Sequence, residues 1–260
     1  MVAKMFEELE NKIVFVVGSF QGIGKAVAAT FLKEKATVIA ADIAYENKDL
    51  EEQSEKLYAV NVDVSNEQQV RKTFAQLEEK GLVPDILVHV AGISTMDYFS
   101  ESKSEDFQRN WEINTKGFYL TAKYYTKFLK TKKRKGKIIV VDSQAGKNGY
   151  RAMSAYVASK HAVLGLVKTL ALEVAKDSIN VNAVCPGIIE TEMKHRERIE
   201  GGKIRGLTPE EVQAEDNSQV PLGRTGTPQD VANVVLFLGS HLSDYMTGQA
   251  INVTGGMTMN

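Results

Sequence analysis

Tyr156-Val157-Ala158-Ser159-Lys160 sets a phenol four residues ahead of an amine at the start of an apolar helical stretch. On a helix, residues i and i+4 share a face, so this ammonium can favour the ionised form of this phenol. A free tyrosine titrates near pH 10, too high for a base at neutral pH. An ammonium about 4 Å away, at an effective dielectric near 20, is worth about 4 kcal/mol, or roughly three pKa units. That shift would bring Tyr156 toward the range a general acid/base needs. Such a pair also arises by chance, so its meaning depends on what surrounds it. Thirteen residues earlier, Ser143 ends the run Ile138-Ile139-Val140-Val141-Asp142. A serine at a strand tip is ordinarily a turn residue, but beside a Tyr-Lys pair it offers a hydrogen bond to a substrate oxygen.

A second signal lies near the N-terminus. The apolar run 12–17 enters Gly18-Ser19-Phe20-Gln21-Gly22-Ile23-Gly24, after which Val27, Phe31 and Leu32 follow helical spacing. A glycine-rich turn at a helix N-terminus presents backbone amides and the positive end of the helix dipole, which suits a pyrophosphate. The next apolar run, 37–41, ends at Asp42, eighteen residues after Gly24. A carboxylate there suits the adenosine ribose hydroxyls and repels a 2′-phosphate. No Arg or Lys stands between Lys35 and Lys48 to attract one, so NAD is expected rather than NADP. The glycines alone would be equally compatible with a tight structural turn.

These groups need a scaffold, and the chain alternates short apolar runs with longer helical patterns. Strands are expected near 12–17, 37–41, 56–60, 85–90, 137–142, 179–184 and 249–253, and helices over 23–34, 66–79, 104–130, 153–175 and 228–239. That alternation predicts an α/β, doubly wound Rossmann fold: a seven-stranded parallel sheet with helices on both faces, in one domain over 1–260. The 260 residues are 43% hydrophobic and 25% charged with a formal net charge of −1, so neither nucleic acid nor membrane is an expected partner. One cysteine, Cys185, excludes an internal disulfide and fits a reducing, cytoplasmic setting; no Cys/His spacing suggests a metal. The N-terminal stretch 1–10, with three glutamates, does not resemble a signal peptide. The basic cluster from Lys127 to Lys137 reads as a solvated helix end.

Taken together, the motifs resemble the short-chain dehydrogenase/reductase family nearly end to end. The family's cofactor turn corresponds to Val17-Gly18 through Gly24, its strand-end acid to Asp42, and its Asp-Val pair to Asp63-Val64. Its Asn-Asn-Ala-Gly motif corresponds to His89-Val90-Ala91-Gly92, and its active-site asparagine, serine, tyrosine and lysine to Asn114, Ser143, Tyr156 and Lys160. Pro186-Gly187 matches the motif bordering the nicotinamide, with Ile189 and Thr191 at the carboxamide. The resemblance implies cofactor contacts from Gly18, Phe20, Gln21, Gly22, Ile23, Gly24, Asp42, Ile43, Asp63, Val64, Ala91, Gly92, Tyr156, Lys160, Pro186, Gly187, Ile189 and Thr191. It implies that Tyr156 exchanges a proton with an alcohol or carbonyl while hydride moves to or from nicotinamide. Ser143 would hold the substrate oxygen, Lys160 would bond the ribose and acidify Tyr156, and Asn114 would kink its helix and hold a water beside Lys160.

Val17 and His89-Val90 depart from the family pattern and put some polar contacts to the cofactor in question. Substrate contacts are expected from Ser143, Gln144, Tyr150, Tyr156 and Ile188, with Ser94, Lys147, Met153 and His195 nearby and a mobile helical lid over 192–219. The C-terminal segment 245–256 is similar to that of sugar-alcohol and diol dehydrogenases, making a small polyol, diol or sugar alcohol the expected substrate. A 3-oxoacyl-thioester reductase is the alternative, and a non-catalytic dinucleotide sensor a further one. The helix 153–175, apolar on most of its circumference, is expected to be buried on all sides, and the resemblance implies a homotetramer or homodimer.

Overall fold

Apolar, β-branched runs supply the strands of a single sheet, and the amphipathic segments between them supply the helices that cover it. The structure is a computed structural model and describes residues 6–260; the first half of the N-terminal stretch 1–10 lies outside the described residues. In chain order the elements are β1 (Ile13–Val17), α1 (Gly22–Lys33), β2 (Thr37–Asp42), β3 (Glu51–Ser54), β4 (Leu57–Asn61), α2 (Glu67–Glu79) and β5 (Ile86–His89). They continue with α3 (Ser104–Asn110), α4 (Gly117–Lys132), β6 (Gly136–Val141), α5 (Ser154–Val174) and β7 (Ile179–Pro186). The last are α6 (Glu192–Arg205), α7 (Pro209–Gln219), α8 (Pro228–Gly239) and β8 (Ala250–Val253).

The strand order is β3-β4-β2-β1-β5-β6-β7-β8. From β1 the chain winds outward through β2 and β4, then returns to β5 on the other side of β1. That reversal creates a crevice at the carboxyl ends of β1 and β5, where ligands of such sheets bind. Successive residues of a strand face opposite sides, and the core divides accordingly. Phe15, Ile39, Leu87 and Ile138 pack with Phe74, Tyr125, Leu129 and Val167 on one face. Val14, Val16, Val38 and Ile86 pack with Val27, Phe31, Val231 and Val235 on the other.

Three expectations need correction. The sheet has eight strands, because β3 adds antiparallel to β4 at the edge. Its sequence, Glu-Glu-Gln-Ser, is exposed throughout and carries no apolar signal; charge on an edge strand also discourages further pairing. The helix expected over 104–130 is interrupted by a π-helical turn at Trp111–Lys116, which separates α3 from α4. Asn114 lies in that turn, at the kink anticipated for it. Finally, α5 is not buried all round, since one side is open and Leu172 is 84% exposed.

The basic end of α4 is matched by acids: Lys130 with Asp177 at 2.9 Å, Lys132 with Glu78 at 2.6 Å and Arg134 with Asp85 at 2.8 Å. Among the described residues, no helix is long and apolar enough to cross a membrane.

Candidate active site

A cleft of about 530 Å³ runs along the carboxyl ends of the central strands. One end is formed by main chain. Gly18 leaves β1 with φ +85°, and a Cβ there would collide with the Ala91 amide after β5. The turn therefore brings two strand ends together only with glycine at this position. No side chain caps the first turn of α1 among the described residues, so its amides remain available at the cleft. Gln21, Gly22, Ile23 and Gly24 line this end. At the tip of β2 the Asp42 carboxylate accepts the Phe20 N–H at 3.1 Å and the Ala44 N–H at 3.0 Å. Asp42, Ile43, Asp63, Val64, Ala91 and Gly92 also line the cleft. Asp63 is held by Ser65, whose N–H and hydroxyl reach it at 2.9 and 2.7 Å.

The other end is formed by side chains. Ser143 and Gln144 follow β6, Tyr150 and Met153 precede α5, and Tyr156 and Lys160 project from its first turns. Pro186 at the end of β7 and Gly187, Ile188, Ile189 and Thr191 beyond it close the far wall. Thr191 also caps α6, accepting the Lys194 N–H at 3.3 Å. Lys160 Nζ lies 5.6 Å from the Tyr156 ring centre and donates to the Val141 carbonyl at 3.2 Å.

The electrostatics correct one expectation. Burial pushes the Tyr156 hydroxyl above the ordinary phenol range; the Ser143 side chain opposes this, while the Glu197 and Asp142 carboxylates add to it. Lys160 is itself drawn below the usual amine range by burial, with Asp142 pulling it partly back. The downward shift expected from the spacing requires a fully effective ammonium about 4 Å away. Here the amine is desolvated and faced by a carboxylate 3.8 Å away. Loss of water therefore outweighs the help of Lys160.

Several expected residues sit elsewhere. Asn114 does not line the cleft. Its Oδ1 accepts the Ile93 N–H at 2.8 Å, and its Nδ2 donates to the Ile93 carbonyl and to Ser159 Oγ, both at 2.9 Å. It thus fastens the segment after β5 to α5, next to Lys160. Phe20 approaches Asp42 only through its main chain; its side chain is 46% exposed and meets Tyr45 edge-on at 5.4 Å. His89 is packed, with Nδ1 2.9 Å from Thr121 Oγ1 and its ring 5.5 Å from that of Phe118. Burial, assisted by the Lys160 charge, lowers it to about 3, so it is neutral. Ser94, Lys147 and His195 do not line the cleft. Lys147 instead binds the carbonyls of Ala250 and Asn260 at 2.8 and 2.7 Å.

Residues that sequence reasoning missed come chiefly from α3 and the 192–219 segment: Arg109, Lys194, Glu197, Asp216 and Gln219. Glu197 accepts the Ser94 hydroxyl, and burial lifts its carboxyl above the usual range. Arg198 is buried between Glu190, at 2.6 and 2.8 Å, and Asp216, at 2.9 Å; Lys194 also reaches Asp216 at 3.0 Å. Glu190, held by Arg198, is pushed down to about 2. These pairs join α6, α7 and the segment after β7.

Residues 17–258 match a sequence family described as "Enoyl-(Acyl carrier protein) reductase". The chain belongs to the short-chain dehydrogenase/reductase family. It is an oxidoreductase acting on CH–OH groups with a nicotinamide dinucleotide, NAD or NADP. Among its relatives, a 3-oxoacyl-[acyl-carrier-protein] reductase of Thermotoga maritima is 37% identical, covering 96% of this chain and 99% of its own. A galactitol 2-dehydrogenase of Agrobacterium fabrum is 35% identical, covering 97% and 99%. A short-chain dehydrogenase of Leptospira borgpetersenii, solved with bound NAD+, superposes with a TM-score of 0.87 at 28% identity, covering 100% of this chain and 98% of its own.

Proposed function

We propose that this protein is an NAD-dependent dehydrogenase that interconverts a secondary alcohol and a ketone on a small polyol, diol or sugar alcohol. The observation that carries the reading is that one cleft holds the glycine turn and Asp42 at one end and Ser143, Tyr156 and Lys160 at the other. The cradle suits the dinucleotide: Gly18 and Gly24 leave no space for a Cβ, the α1 amides face the cleft, and Asp42 stands where its carboxylate would accept the ribose hydroxyls. The same carboxylate argues against a 2′-phosphate. When bound, the dinucleotide supplies the hydride chemistry.

The chain's own residues do the rest. Ser143 holds the substrate oxygen. Tyr156, kept protonated by its surroundings, donates to a carbonyl oxygen in reduction and accepts the proton in oxidation once the medium is alkaline. Lys160 would hold the nicotinamide ribose when the dinucleotide is bound and stabilises the phenolate, and Asn114 positions Ile93 and α5 around it. Residues α6 and α7 contribute form a lid whose carboxylates face the substrate. Gln144, Tyr150, Glu197 and Gln219 offer hydroxyl-matching groups, which favours a hydroxylated substrate over an acyl chain. The open side of α5, continuous with exposed Tyr119 of α4, supports a homodimer or homotetramer. A cytoplasmic setting agrees with the single buried thiol.

A second reading, a 3-oxoacyl-thioester reductase, is favoured by Arg109, which lines the cleft and makes no ion pair among the described residues. Initial rates of NADH formation at pH 9 across polyols, diols, hydroxy acids and steroids, with NADP in parallel, separate the two. An NAD-linked rate on one polyol or diol class is expected. Silence there with NADPH-driven reduction of acyl thioesters would establish the second reading instead.

A further inference from the structure

Asp142 precedes Ser143 and takes no part in the mechanism above, yet its side chain is wholly buried at the floor of the cleft, with 0% exposure. Oδ1 lies 3.8 Å from Lys160 Nζ and has no hydrogen-bond partner among the described residues. Oδ2 lies 4.0 Å from Cys185 Sγ, and a Cβ at Gly146 would run into it. The carboxyl thus occupies space that a glycine leaves free, at a place where burying a charge is costly unless a cation faces it; burial lifts it to about 7 against the pull of Lys160, so it is an anion in the alkaline range where an alcohol is oxidised.

The groups around it identify that cation. From β7 comes the Cys185 thiol, which burial pushes up to about 12 and which is therefore neutral. From β5 comes His89, neutral and turned toward Thr121. Lys147, on the turn after β6, is engaged by two carbonyls, and His161 on α5 is exposed with Nδ1 2.9 Å from the Val157 carbonyl. Tyr156 is uncharged in its protonated form. Lys160 is left as the buried cation opposite Asp142.

We propose that Asp142 is a positioning residue for Lys160: its carboxylate holds the ammonium at the end of β6 and tempers the positive charge that Lys160 presents to Tyr156. The proposal rests on the reading that Tyr156 exchanges the proton and Lys160 assists it. Its consequence has a definite sign. An anion below the pair makes both Tyr156 and Lys160 hold their protons more tightly, as the direction of its effect on each agrees. Replacing it by a neutral side chain releases both protons at lower pH.

The test is the pH profile of kcat/KM for alcohol oxidation by wild type and Asp142→Asn, with NADH affinity followed by fluorescence titration. Asp142→Asn is expected to move the acid limb down by about one pH unit and the alkaline limb in the same direction, with NADH still bound. A profile superposing on wild type, or a uniform loss of kcat at every pH, would mean that Asp142 only fills space and would overturn the proposal. Should the amide not fold, Asp142→Ser, shorter and equally uncharged, carries the same expectation and the same refutation. Tyr156→Phe run alongside separates the two levels: retained turnover there refutes the role of Tyr156 itself, whatever Asp142 does.

Discussion

At Gly18, Gly22 and Gly24 the cleft wall is main chain held by strand ends, whereas at Tyr156, Lys160 and Glu197 it is buried side chains that can gain or lose charge. The first region has its properties as soon as the β1 turn forms, because amides and a helix dipole need no titration. The second has its properties only once water has been excluded and α5, α6 and α7 have met. Substitutions should therefore act differently at the two ends, in binding at one and in proton transfer and stability at the other.

The largest expected effect tests that division directly. Tyr156→Phe removes the hydroxyl but no cradle contact, so we predict a fall in turnover of about a thousandfold or more. The NADH dissociation constant should stay within about threefold, well under the tenfold that 1.4 kcal/mol represents. Stopped-flow turnover and fluorescence titration of one preparation decide it. A variant that loses NADH binding in proportion to rate would show that the two ends are not separable.

Arg198→Met comes next and probes the charged end alone. The guanidinium is buried among Glu190 and Asp216, and removing it takes the arginine from Glu190 and leaves Asp216 with Lys194 alone. Breaking a buried pair in this way costs about 3–5 kcal/mol; the partial exposure of Glu190 places the expectation near the lower figure. Chemical denaturation should show the loss, and hydrogen exchange should locate it in α6 and α7 rather than at the glycine turn. Uniform destabilisation would count against two independently built ends.

A third expectation returns to the main-chain end. Asp42→Ala deletes the carboxylate that we propose meets the adenosine ribose and, with it, the proposed repulsion of a 2′-phosphate. We predict that the ratio of kcat/KM with NAD to that with NADP falls by about tenfold or more, the scale of one lost charged hydrogen bond at roughly 1.5–3 kcal/mol. Parallel assays with the two cofactors measure it, and an unchanged ratio would reject Asp42 as the selector.

The same division explains what could be read from sequence. The apolar runs of β1, β2 and β5, the glycine spacing and the Tyr-Lys pair are local patterns, and each stands where the sequence places it. Asp42 follows from its distance to Gly24. By contrast, β3 is four polar residues whose only structural signal is pairing with β4. Glu197 and Arg198 look like solvent-facing helix charges until Ser94, Glu190 and Asp216 close around them from distant positions. The Tyr156 hydroxyl departs from its expected direction for the same reason, since i,i+4 spacing specifies the neighbour but not how much water is lost. Asp142 stands in the sequence only as the last residue of the run before Ser143, and it takes Gly146, Cys185 and Lys160 together to enclose its carboxyl.

The smallest expected effect uses pH to distinguish the ends. Glu190 titrates near 4.5 when free and is held at about 2 in the folded protein. A depressed folded value means that its contribution to stability is complete above about pH 4.5 and is lost as pH falls toward about 2. Thermal melts of wild type and Glu190→Gln between pH 6 and pH 3 should therefore converge as the medium becomes acidic. His89, lowered to about 3, also makes the fold acid-sensitive, because the unfolded chain takes up its proton below about 6.5. That sensitivity is common to both proteins and cancels in their difference, so what remains belongs to Glu190. Melting curves that keep a constant separation across the range would mean that Glu190 acts through packing alone. The charged end of the cleft would then be less dependent on ionisation than its geometry indicates.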